Sequence, residues 1–502
     1  MKKVQCATYE GLEAKMVQVE STLTKGLPSF SIVGMASTAI TEAKERVKSA
    51  LLCNDFKFPP KRITINLAPS DVKKEGSHFD LSIALMIALD DFEEELSSWA
   101  IFGELGLDGE VKENLQLYPI ILSLANKNLI SKAMVPYASL EKLSNIPNIE
   151  FYGVKTLNEA LDTLKNQTIA EPHIESSSFD FPFLELHDEK YFYIKEYPLD
   201  FIDVKGQEVA KRAALIAAAG MHNILLEGSP GCGKSMIAQR LQYVLPPMSN
   251  EEVLDAVKLQ ILDSKEAEFI PRRAMRSPHH SSTLASVFGG GSSRARIGEV
   301  GLAHGGVLFF DELPHFSKNV LEALREPMQD SKIRISRVNS KVEYPADFLF
   351  IGAMNPCPCG NLLDKNRECR CSELEIQRYK NRLSDPFLDR VDLSVVMQNV
   401  SAEDKPSMSS LEMHKMVVEA FAFKSKRAQK SFNAKLSDSE IEKFCVLSSE
   451  AKEVLDMAIN RFALSFRSIK KVQKVARTIA DLEKSEVIEK QHLLEALSYR
   501  RR

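Results

Sequence analysis

What this sequence lacks already narrows the kinds of protein that it can encode. Its 502 residues contain no uninterrupted apolar run approaching the ~18 residues of a membrane-spanning helix. Its first residues, MKKVQCATYEGLEAKM, include two lysines but no apolar segment of the kind that a signal peptide needs. We therefore expect a protein that has no contact with a membrane and carries no export signal.

Cysteine and net charge are also low. Eight cysteines in 502 residues are too few for a disulfide scaffold, and we expect them to be reduced thiols in the cytoplasm. The formal net charge is −4. A protein of this charge does not attract nucleic acid as a whole, so any binding site for a polyanion must be a local basic patch.

The chain is long enough for roughly three domains of ~150 residues. Residues 1–165 mix strand-like runs such as RITINLAPSDV with helical runs such as DLSIALMIAL, which predicts a compact α+β domain. Residues 166–200 are acidic and punctuated by serine and proline, which is typical of a linker that packs only in places. Residues 201–404 alternate apolar strands with helices, which predicts an α/β domain with a parallel sheet. Residues 405–502 are predicted to be helical, near 412–430, 437–447, 449–463, 466–483 and 487–499.

The strongest motif is NILLEGSPGCGKSMIAQRL, residues 223–241, in which an apolar strand leads into a glycine-rich turn and then a helix. Glycines let the backbone of such a turn curl so that its N–H groups point at phosphate oxygens. Lys234 is expected to reach the β- and γ-phosphates of ATP, and Ser235 to bind Mg²⁺. The nucleotide-binding residues predicted here are Gly228, Ser229, Pro230, Gly231, Cys232, Gly233, Lys234 and Ser235.

Two further apolar strands end in polar residues that suit ATP hydrolysis. GGVLFFDEL, residues 305–313, places Asp311 and Glu312 after a buried strand. Asp311 would help to hold Mg²⁺, and Glu312 would orient and polarise the attacking water. FLFIGAMN, residues 348–355, ends in Asn355, whose amide could hold that water or sense the γ-phosphate.

These residues resemble the ATP site of the AAA+ ATPases. Lys234 matches the Walker A lysine, Asp311 and Glu312 match the Walker B pair, and Asn355 matches sensor 1. Arg390, in DPFLDRVDL, lies where helicase-like AAA+ proteins carry an arginine finger. In LSFRSIKKVQKVARTIADL, the arginine at the start of a lid helix, Arg467, resembles sensor 2. Because arginine fingers act on the ATP of a neighbouring subunit, the resemblance implies a ring of identical subunits, usually a hexamer.

Three features make the chain similar to the magnesium-chelatase-like proteins in particular. They are the His-His and Gly-Gly-Gly segment PHHSSTLASVFGGG, the predicted hairpin SKIRISRVNSKVEYPADF, and the NPCPCG run after Asn355. The resemblance extends from GLPSFSIVGMA to VARTIADL, almost the whole chain. It implies an ATP-driven hexameric motor that moves along DNA and promotes branch migration when incoming DNA recombines in natural transformation.

Two alternatives need to be weighed. FGELGLDGEVKENLQLY, residues 102–118, resembles a segment of Lon peptidases, and the N-terminal domain looks Lon-like. However, the position of the Lon serine falls on His78 and that of its lysine on Tyr118; Ser77 and Ser82 are near, but no lysine is available to activate them. We therefore expect a non-proteolytic domain. The second alternative is the motor subunit of a metal chelatase, which remodels a protein partner instead of DNA.

Four of the cysteines form two C-x-C pairs in CPCGNLLDKNRECRC, residues 357–371. Four thiolates can close a tetrahedral site, for which Zn²⁺ is the default ion, although C-x-C is tighter than the usual C-x₂-C spacing. The alternative is a loop with four reduced surface thiols. A bound metal would fix the loop between Asn355 and the helix that carries Arg390. The candidate ligands are Cys357, Cys359, Cys369 and Cys371.

Two basic segments are candidates for contact with single-stranded or branched DNA. Residues 331–341 contain four basic residues and no acid, and residues 271–296 contain five arginines and no acid. Such local charge is what a chain of negative net charge needs in order to hold phosphates. The predicted DNA-binding residues are Lys332, Arg334, Arg337 and Lys341 in the hairpin, with Arg294 and Arg296 in the glycine-rich loop.

Overall fold

The structure is a computed structural model that describes residues 2–10, 13–90, 92, 96–166, 179–290, 296–336, 341–364, 367–401 and 403–500. The chain divides into two compact units. The first comprises residues 1–179 and 257–268, and the second comprises residues 180–256 and 269–502. No helix in the described part of the chain is long and apolar enough to cross a membrane.

The first unit contains a mixed seven-stranded sheet in the order β3-β4-β2-β1-β5-β8-β9. β1, β2 and β4 are antiparallel neighbours, whereas β3–β4, β1–β5, β5–β8 and β8–β9 are parallel pairs. A small antiparallel ribbon is formed by β6 and β7. The strands are β1 Lys2–Glu10, β2 Glu13–Thr24, β3 Ser29–Val33, β4 Arg62–Ala68, β5 Ala100–Ile101, β6 Glu104–Leu105, β7 Val111–Lys112, β8 Lys132–Pro136 and β9 Glu150–Val154.

Five helices accompany this sheet. They are α1 Thr38–Cys53, α2 Asp80–Ala88, α3 Leu117–Ala125, α4 Leu140–Leu143 and α5 Leu157–Asn166. Every residue of α2 except Ala88 is buried, which explains the almost uninterrupted apolar sequence of this helix. The predicted α+β character of this region is confirmed.

The second unit is built on a five-stranded parallel sheet in the order β14-β17-β20-β12-β21. β17 and β20 are buried at every position, as expected for parallel strands that are covered on both faces. β12, which leads into the glycine-rich turn, lies between β20 and β21. The strands are β12 Ile224–Gly228, β14 Met275–Arg276, β17 Val307–Phe310, β20 Leu349–Met354 and β21 Leu393–Met397.

Three smaller sheets accompany it. β10 Phe183–Leu186 and β11 Glu189–Phe192 form a hairpin within the residues predicted to be a linker, and β11 pairs with β13 Met248–Ser249. β15 Gly289–Gly290 pairs with β16 Arg296–Ile297 around the glycine-rich loop. The predicted hairpin before the sensor strand is formed by β18 Lys332–Ser336 and β19 Lys341–Pro345.

Helices flank the parallel sheet and then make up the C-terminal part of the chain. The first group is α6 Glu208–Gly220, α7 Lys234–Leu241, α8 Asn250–Leu262, α9 Leu284–Phe288, α10 Glu299–Leu302, α11 Lys318–Ala323, α12 Arg325–Asp330, α13 Glu373–Lys380 and α14 Asp385–Leu388. The C-terminal group is α15 Ser410–Ser425, α16 Asp438–Phe444, α17 Ser449–Phe462, α18 Phe466–Leu482 and α19 Lys490–Ser498.

Serine side chains cap the N-termini of four of the C-terminal helices. Ser409 and Ser437 form capping boxes with the glutamate three residues later, and Ser448 and Ser465 each accept a backbone N–H of the first turn. These contacts satisfy N–H groups that have no partner within the helix. The five predicted helical segments are thus confirmed to within a few residues at each end.

Candidate nucleotide site and cysteine cluster

The glycine-rich turn after β12 has the backbone conformation that a phosphate loop requires. Gly231 and Gly233 have φ values of +80° and +97°, in the left-handed region that favours glycine. A Cβ atom on Gly231 would have nothing within 4 Å, so the loop is open on that side. α7 begins directly after the turn, which aims the positive end of its dipole at the same space.

Lys234 lies at the carboxyl edge of the sheet and connects the loop to the sensor strand. Its Nζ donates to the carbonyl oxygens of Gly228 and Ser229, at 2.6 and 3.0 Å, and to Asn355 Oδ1 at 3.1 Å. Burial lowers the pKa of the ammonium group. The structure therefore brings Lys234 and Asn355 together, so that both can face one terminal phosphate.

The hydroxyl of Ser235 donates to Asp311 Oδ2 at 2.8 Å. Two oxygens that share one edge of an octahedral Mg²⁺ site, at ~2.1 Å from the ion, lie ~3 Å apart, so this pair fits the ion. The second carboxylate oxygen of Asp311, Oδ1, accepts the backbone N–H of Glu312 at 2.9 Å. Ser235 and Asp311 would hold Mg²⁺, which supplies positive charge against the phosphates.

Glu312 follows Asp311 with φ at +50° and begins the short 3₁₀ helix Leu313–His315. Its side chain remains about half exposed, at 53%, so that water can reach the carboxylate. One of its oxygens, Oε2, lies 3.3 Å from His315 Nδ1 and 3.5 Å from His280 Nδ1. Neither histidine was predicted to contact Glu312, although the His-His pair itself was noticed in the sequence.

Arg390 and Arg467 both approach the side-chain amide of Gln329. Arg390 donates to Gln329 Oε1 at 2.6 Å and to the Arg325 carbonyl at 3.1 Å, and Arg467 approaches the same Gln329 oxygen at 3.5 Å. Burial and the neighbouring Arg467 and Arg325 lower the pKa of Arg390. Among the hydrogen bonds of the described residues, none joins either arginine to the phosphate loop. Sequence reasoning did not identify Gln329 or Arg325, which no motif marks.

The four candidate zinc ligands are brought together. All their sulfur atoms lie within 4.8 Å of one another, and Cys357, Cys359 and Cys369 are mutually separated by 3.4–3.7 Å. Sulfur atoms bound at ~2.3 Å to one tetrahedral Zn²⁺ would be ~3.8 Å apart, so the cluster fits this ion. Backbone N–H groups of Asn361 and Arg370 lower the pKa of the Cys359 thiol to about 6.

The cysteine loop also contacts the phosphate loop. Gly360 has φ at +80° and donates its N–H to the Cys357 carbonyl at 3.0 Å. A Cβ atom on Gly360 would lie 2.6 Å from Pro230 Cδ, so that only glycine fits against the proline. The loop between Asn355 and α13 therefore packs on the nucleotide-binding turn, a contact that the sequence did not reveal.

The predicted DNA-binding residues have mixed surroundings. Lys332 and Arg334 are exposed but pair with Glu343 on the opposite strand, at 2.7 and 3.1 Å. Glu343 lies just outside the acid-free segment and directly opposite Arg334. Four of the predicted DNA-binding residues lie where no side chain is described. Arg294 and Arg337 lie outside the described residues, and Lys341 and Arg296 are described only as parts of strands.

Two arginines of the second basic segment, Arg273 and Arg276, have structural partners within the protein. Arg273 is 3% exposed and bonds to the carbonyl oxygens of Pro246, Pro247 and Gly305. Arg276 pairs with Glu299 at 2.6 Å. The expectation that this segment concentrates free positive charge is therefore wrong for these two arginines, because each has a structural partner.

The two serines near His78, Ser77 and Ser82, donate hydrogen bonds to groups other than lysine. The Ser77 hydroxyl donates to Glu104, the Ser82 hydroxyl donates to the Phe79 carbonyl at 2.8 Å, and Tyr118 is buried. His78 is buried and its Nε2 lies 2.8 Å from the Ala7 carbonyl.

Family models match three parts of the chain. Residues 200–405 match "Magnesium chelatase, subunit ChlI", residues 407–500 match "Magnesium chelatase, subunit ChlI C-terminal", and residues 19–139 match "Subunit ChlI of Mg-chelatase". The last match falls in the region that resembled Lon peptidases. The family descriptions thus cover the parallel sheet, the C-terminal helices and most of the first unit.

Curated relatives extend the similarity to nearly the full length. Competence protein ComM of Haemophilus influenzae is 38% identical over 509 aligned residues, which cover 98% of this chain and 95% of the relative. YifB of Escherichia coli is 38% identical, with the same coverage. The Magnesium-chelatase 67 kDa subunit of Chlorobaculum tepidum is 25% identical over only 31% of this chain. The chain therefore belongs to the family of magnesium-chelatase-like AAA+ proteins that includes ComM and YifB.

Proposed function

We propose that the chain is an ATP-driven DNA motor that promotes branch migration when incoming DNA recombines in natural transformation. The observation that carries the ATPase part is the assembly of Lys234, Ser235, Asp311 and Asn355 at one edge of the parallel sheet. The full-length similarity to a competence protein supports DNA as the substrate. The protein would act in the cytoplasm, where ATP and incoming DNA meet.

In this proposal the residues of the site divide the work of hydrolysis. Lys234 and the loop N–H groups bind the phosphates, and Ser235 and Asp311 hold Mg²⁺. Glu312 takes a proton from the attacking water, and Asn355 orients that water or reports the presence of the γ-phosphate. The exposed carboxylate of Glu312, next to the engaged Asp311, supports this assignment.

Arg390 would act as an arginine finger that completes the site of a neighbouring copy of the chain, and Arg467 would act as sensor 2. The two arginines share Gln329, so a change at one should be felt at the other. The chain is then expected to assemble as a closed ring, and a hexamer is the number that the family resemblance implies. We also propose that the cysteine cluster binds one structural Zn²⁺, because four thiolates leave no open position for chemistry.

The test is the rate of ATP hydrolysis with and without DNA. Purified protein should hydrolyse Mg²⁺-ATP, and single-stranded or forked DNA should raise the rate. Lys234→Ala should abolish nucleotide binding, whereas Glu312→Gln should bind ATP but hydrolyse it ~10²–10⁴-fold more slowly, as expected when a positioned base is lost. A rate that DNA leaves unchanged would overturn the DNA part of the proposal.

The motor of a metal chelatase is the second candidate, and the match to ChlI family models favours it. It is distinguished by what stimulates hydrolysis. A chelatase motor would respond to its protein partner and not to DNA. Stimulation by DNA in a purified, single-component system would therefore decide for the DNA motor.

A further inference from the structure

Two histidines approach the same oxygen of the carboxylate that we assign as the base. His315 Nδ1 lies 3.3 Å and His280 Nδ1 lies 3.5 Å from Glu312 Oε2. An ionised carboxylate can only accept hydrogen bonds, so the hydrogen in the His315 contact belongs to Nδ1 of the imidazole. The histidines come from different parts of the chain, because His280 precedes α9 and His315 ends the 3₁₀ helix after Glu312.

Each imidazole is itself held by its neighbours. The His280 ring packs against His279 with centroids 4.1 Å apart and the ring planes tilted by 36°, and His279 Nδ1 accepts the backbone N–H of Ser281 at 3.3 Å. The His315 ring meets the ring of Tyr379 edge to face, at a centroid distance of 6.2 Å. Tyr379 is 7% exposed and bonds to the backbone of Asn355, and burial raises its pKa to about 12. The two histidines thus each pack against a neighbouring ring, between the turn that follows β17 and the loop that follows Asn355.

We infer that His280 and His315 are positioning residues that orient Glu312 for catalysis. His315 bonds to Oε2 and His280 lies 3.5 Å from the same oxygen, which leaves Oε1 to take the proton of the attacking water. Glu312 is half exposed and its side chain has several rotatable bonds. Without the two histidines it samples many orientations in water, so a smaller fraction of molecules holds the carboxylate in position to take the proton. This inference rests on the proposed ATPase activity and on Glu312 as its base.

The contact between His280 and Glu312 also assigns the His-His segment to ATP hydrolysis and not to direct contact with DNA. His280 is 37% exposed in its side chain, and its Nδ1 faces Glu312. His279 is occupied with His280 and Ser281. Loss of either ring that faces Glu312 should therefore change the chemical step and leave the binding of DNA intact.

The experiment is steady-state and single-turnover hydrolysis of ATP by His280→Ala and His315→Ala. Each variant should lower kcat on the order of 10-fold, while KM and the affinity for ATP stay unchanged. The expected loss is smaller than the ~10²–10⁴-fold that a positioned base contributes, because Glu312 itself is still present. His315→Asn places an amide N–H near the position of Nδ1 and should recover part of the lost rate. His187→Ala is the matched control, since His187 is an exposed histidine whose Nε2 lies 3.0 Å from the Ser425 carbonyl.

A double-variant comparison separates positioning from general damage. In a Glu312→Gln background, removing His315 should have little further effect on the single-turnover rate, because the base that it orients is already gone. Wild-type kcat in both alanine variants would overturn the inference, and so would a rise in kcat or an equal loss in the Glu312→Gln background. Failure of the wild-type protein to hydrolyse ATP would instead overturn the proposed function, and this inference with it.

Discussion

Arg390 is the residue whose assigned role depends most on a second copy of the chain. It lies just after α14, donates to Gln329 and is adjacent to Arg467. An arginine supplied in trans can raise the rate of phosphoryl transfer ~10³–10⁵-fold in well-studied NTPases. We predict that Arg390→Ala retains ATP binding but loses most hydrolysis.

A mixing experiment tests whether Arg390 acts across an interface. Lys234→Ala protein lacks a working phosphate loop but keeps Arg390, and Arg390→Ala protein has the opposite defect. Mixed under conditions that allow subunit exchange, the two should recover part of the wild-type ATPase rate. If the mixture shows only the sum of the two separate rates while exchange is verified, Arg390 does not act in trans.

His78 makes the first unit sensitive to acid. Burial lowers its pKa to about 4, whereas an exposed histidine in the unfolded chain titrates near 6.5. Below pH ~6.5 this histidine is therefore protonated in the unfolded state but stays neutral in the folded state. The free energy of unfolding consequently falls as the pH falls towards 4. We predict that His78 alone removes about 3 kcal/mol of unfolding free energy between pH 7 and pH 4.

The single tryptophan of the chain provides the measurement. Trp99 lies in the first unit, against Tyr152 and Lys132, so its fluorescence reports the unfolding of that unit. Urea unfolding should be followed across the pH range for the wild type and for His78→Gln, whose amide can still donate to the Ala7 carbonyl. The difference between the two proteins should shrink as the pH falls; parallel curves would contradict the assignment.

At the scale of elements, the cysteine loop should support the ATP site through direct packing. The cluster lies between Asn355 and α13, and Gly360 packs on Pro230 of the phosphate loop. We predict about one zinc per chain in protein purified without chelator, as expected for one four-thiolate site. Cys369→Ser with Cys371→Ser should lose the metal and slow hydrolysis, while nucleotide binding survives.

The control for this prediction is Cys53→Ser, which removes an exposed cysteine in α1, outside the cluster. It should change neither metal content nor ATPase rate. Elemental analysis that finds no tightly held metal in the wild-type protein would contradict the zinc site. Full ATPase activity in the metal-free double variant would instead contradict the mechanical link between the loop and Asn355.

The hairpin of β18 and β19 offers a prediction in which two variants have opposite effects. Glu343 pairs with both Lys332 and Arg334, so DNA phosphates would have to compete with this carboxylate. If the hairpin grips DNA, Glu343→Gln should tighten binding. Arg334→Ala should weaken it and reduce the slope of log affinity against log salt by roughly 0.7, the value for one contact with single-stranded DNA.

Affinity for a labelled single strand, measured at several salt concentrations, checks both variants. The basal ATPase rate without DNA serves as the control for folding and should be unchanged, because neither residue belongs to the nucleotide site. If neither variant changes affinity, slope or stimulation by DNA, the hairpin is a solvated surface feature. The grip on DNA must then be sought elsewhere in the molecule.

Local signals account for the parts of the structure that the sequence could predict. Apolar strands that end in GSPGCGKS, DE and N identify the carboxyl edge of a parallel sheet, and serine caps mark the starts of C-terminal helices. Contacts between distant segments carry no such local signal. Gln329 between two arginines, Gly360 against Pro230, and His280 beside Glu312 are contacts between segments far apart in the sequence, and only the folded chain brings them together.

Strand pairing and burial also change how much of the positive charge is available to DNA. Counting acids along residues 331–341 missed Glu343, because strand pairing and not sequence distance brings it opposite Arg334. Likewise, Arg273 looked free in sequence but is buried among backbone carbonyls. Local charge therefore predicted a basic hairpin but overestimated the positive charge that is available to DNA.

At the scale of the whole molecule, the proposed function requires ATP hydrolysis to move DNA. A branched DNA with one fluorescent strand, incubated with purified protein and Mg²⁺-ATP, provides the most direct measurement. We expect the wild type to displace the labelled strand only when ATP is hydrolysed. Glu312→Gln should bind ATP without displacing that strand, and Arg390→Ala should fail likewise. ATP hydrolysis by the wild type at full rate, with DNA bound and the branch point unmoved, would contradict the central claim.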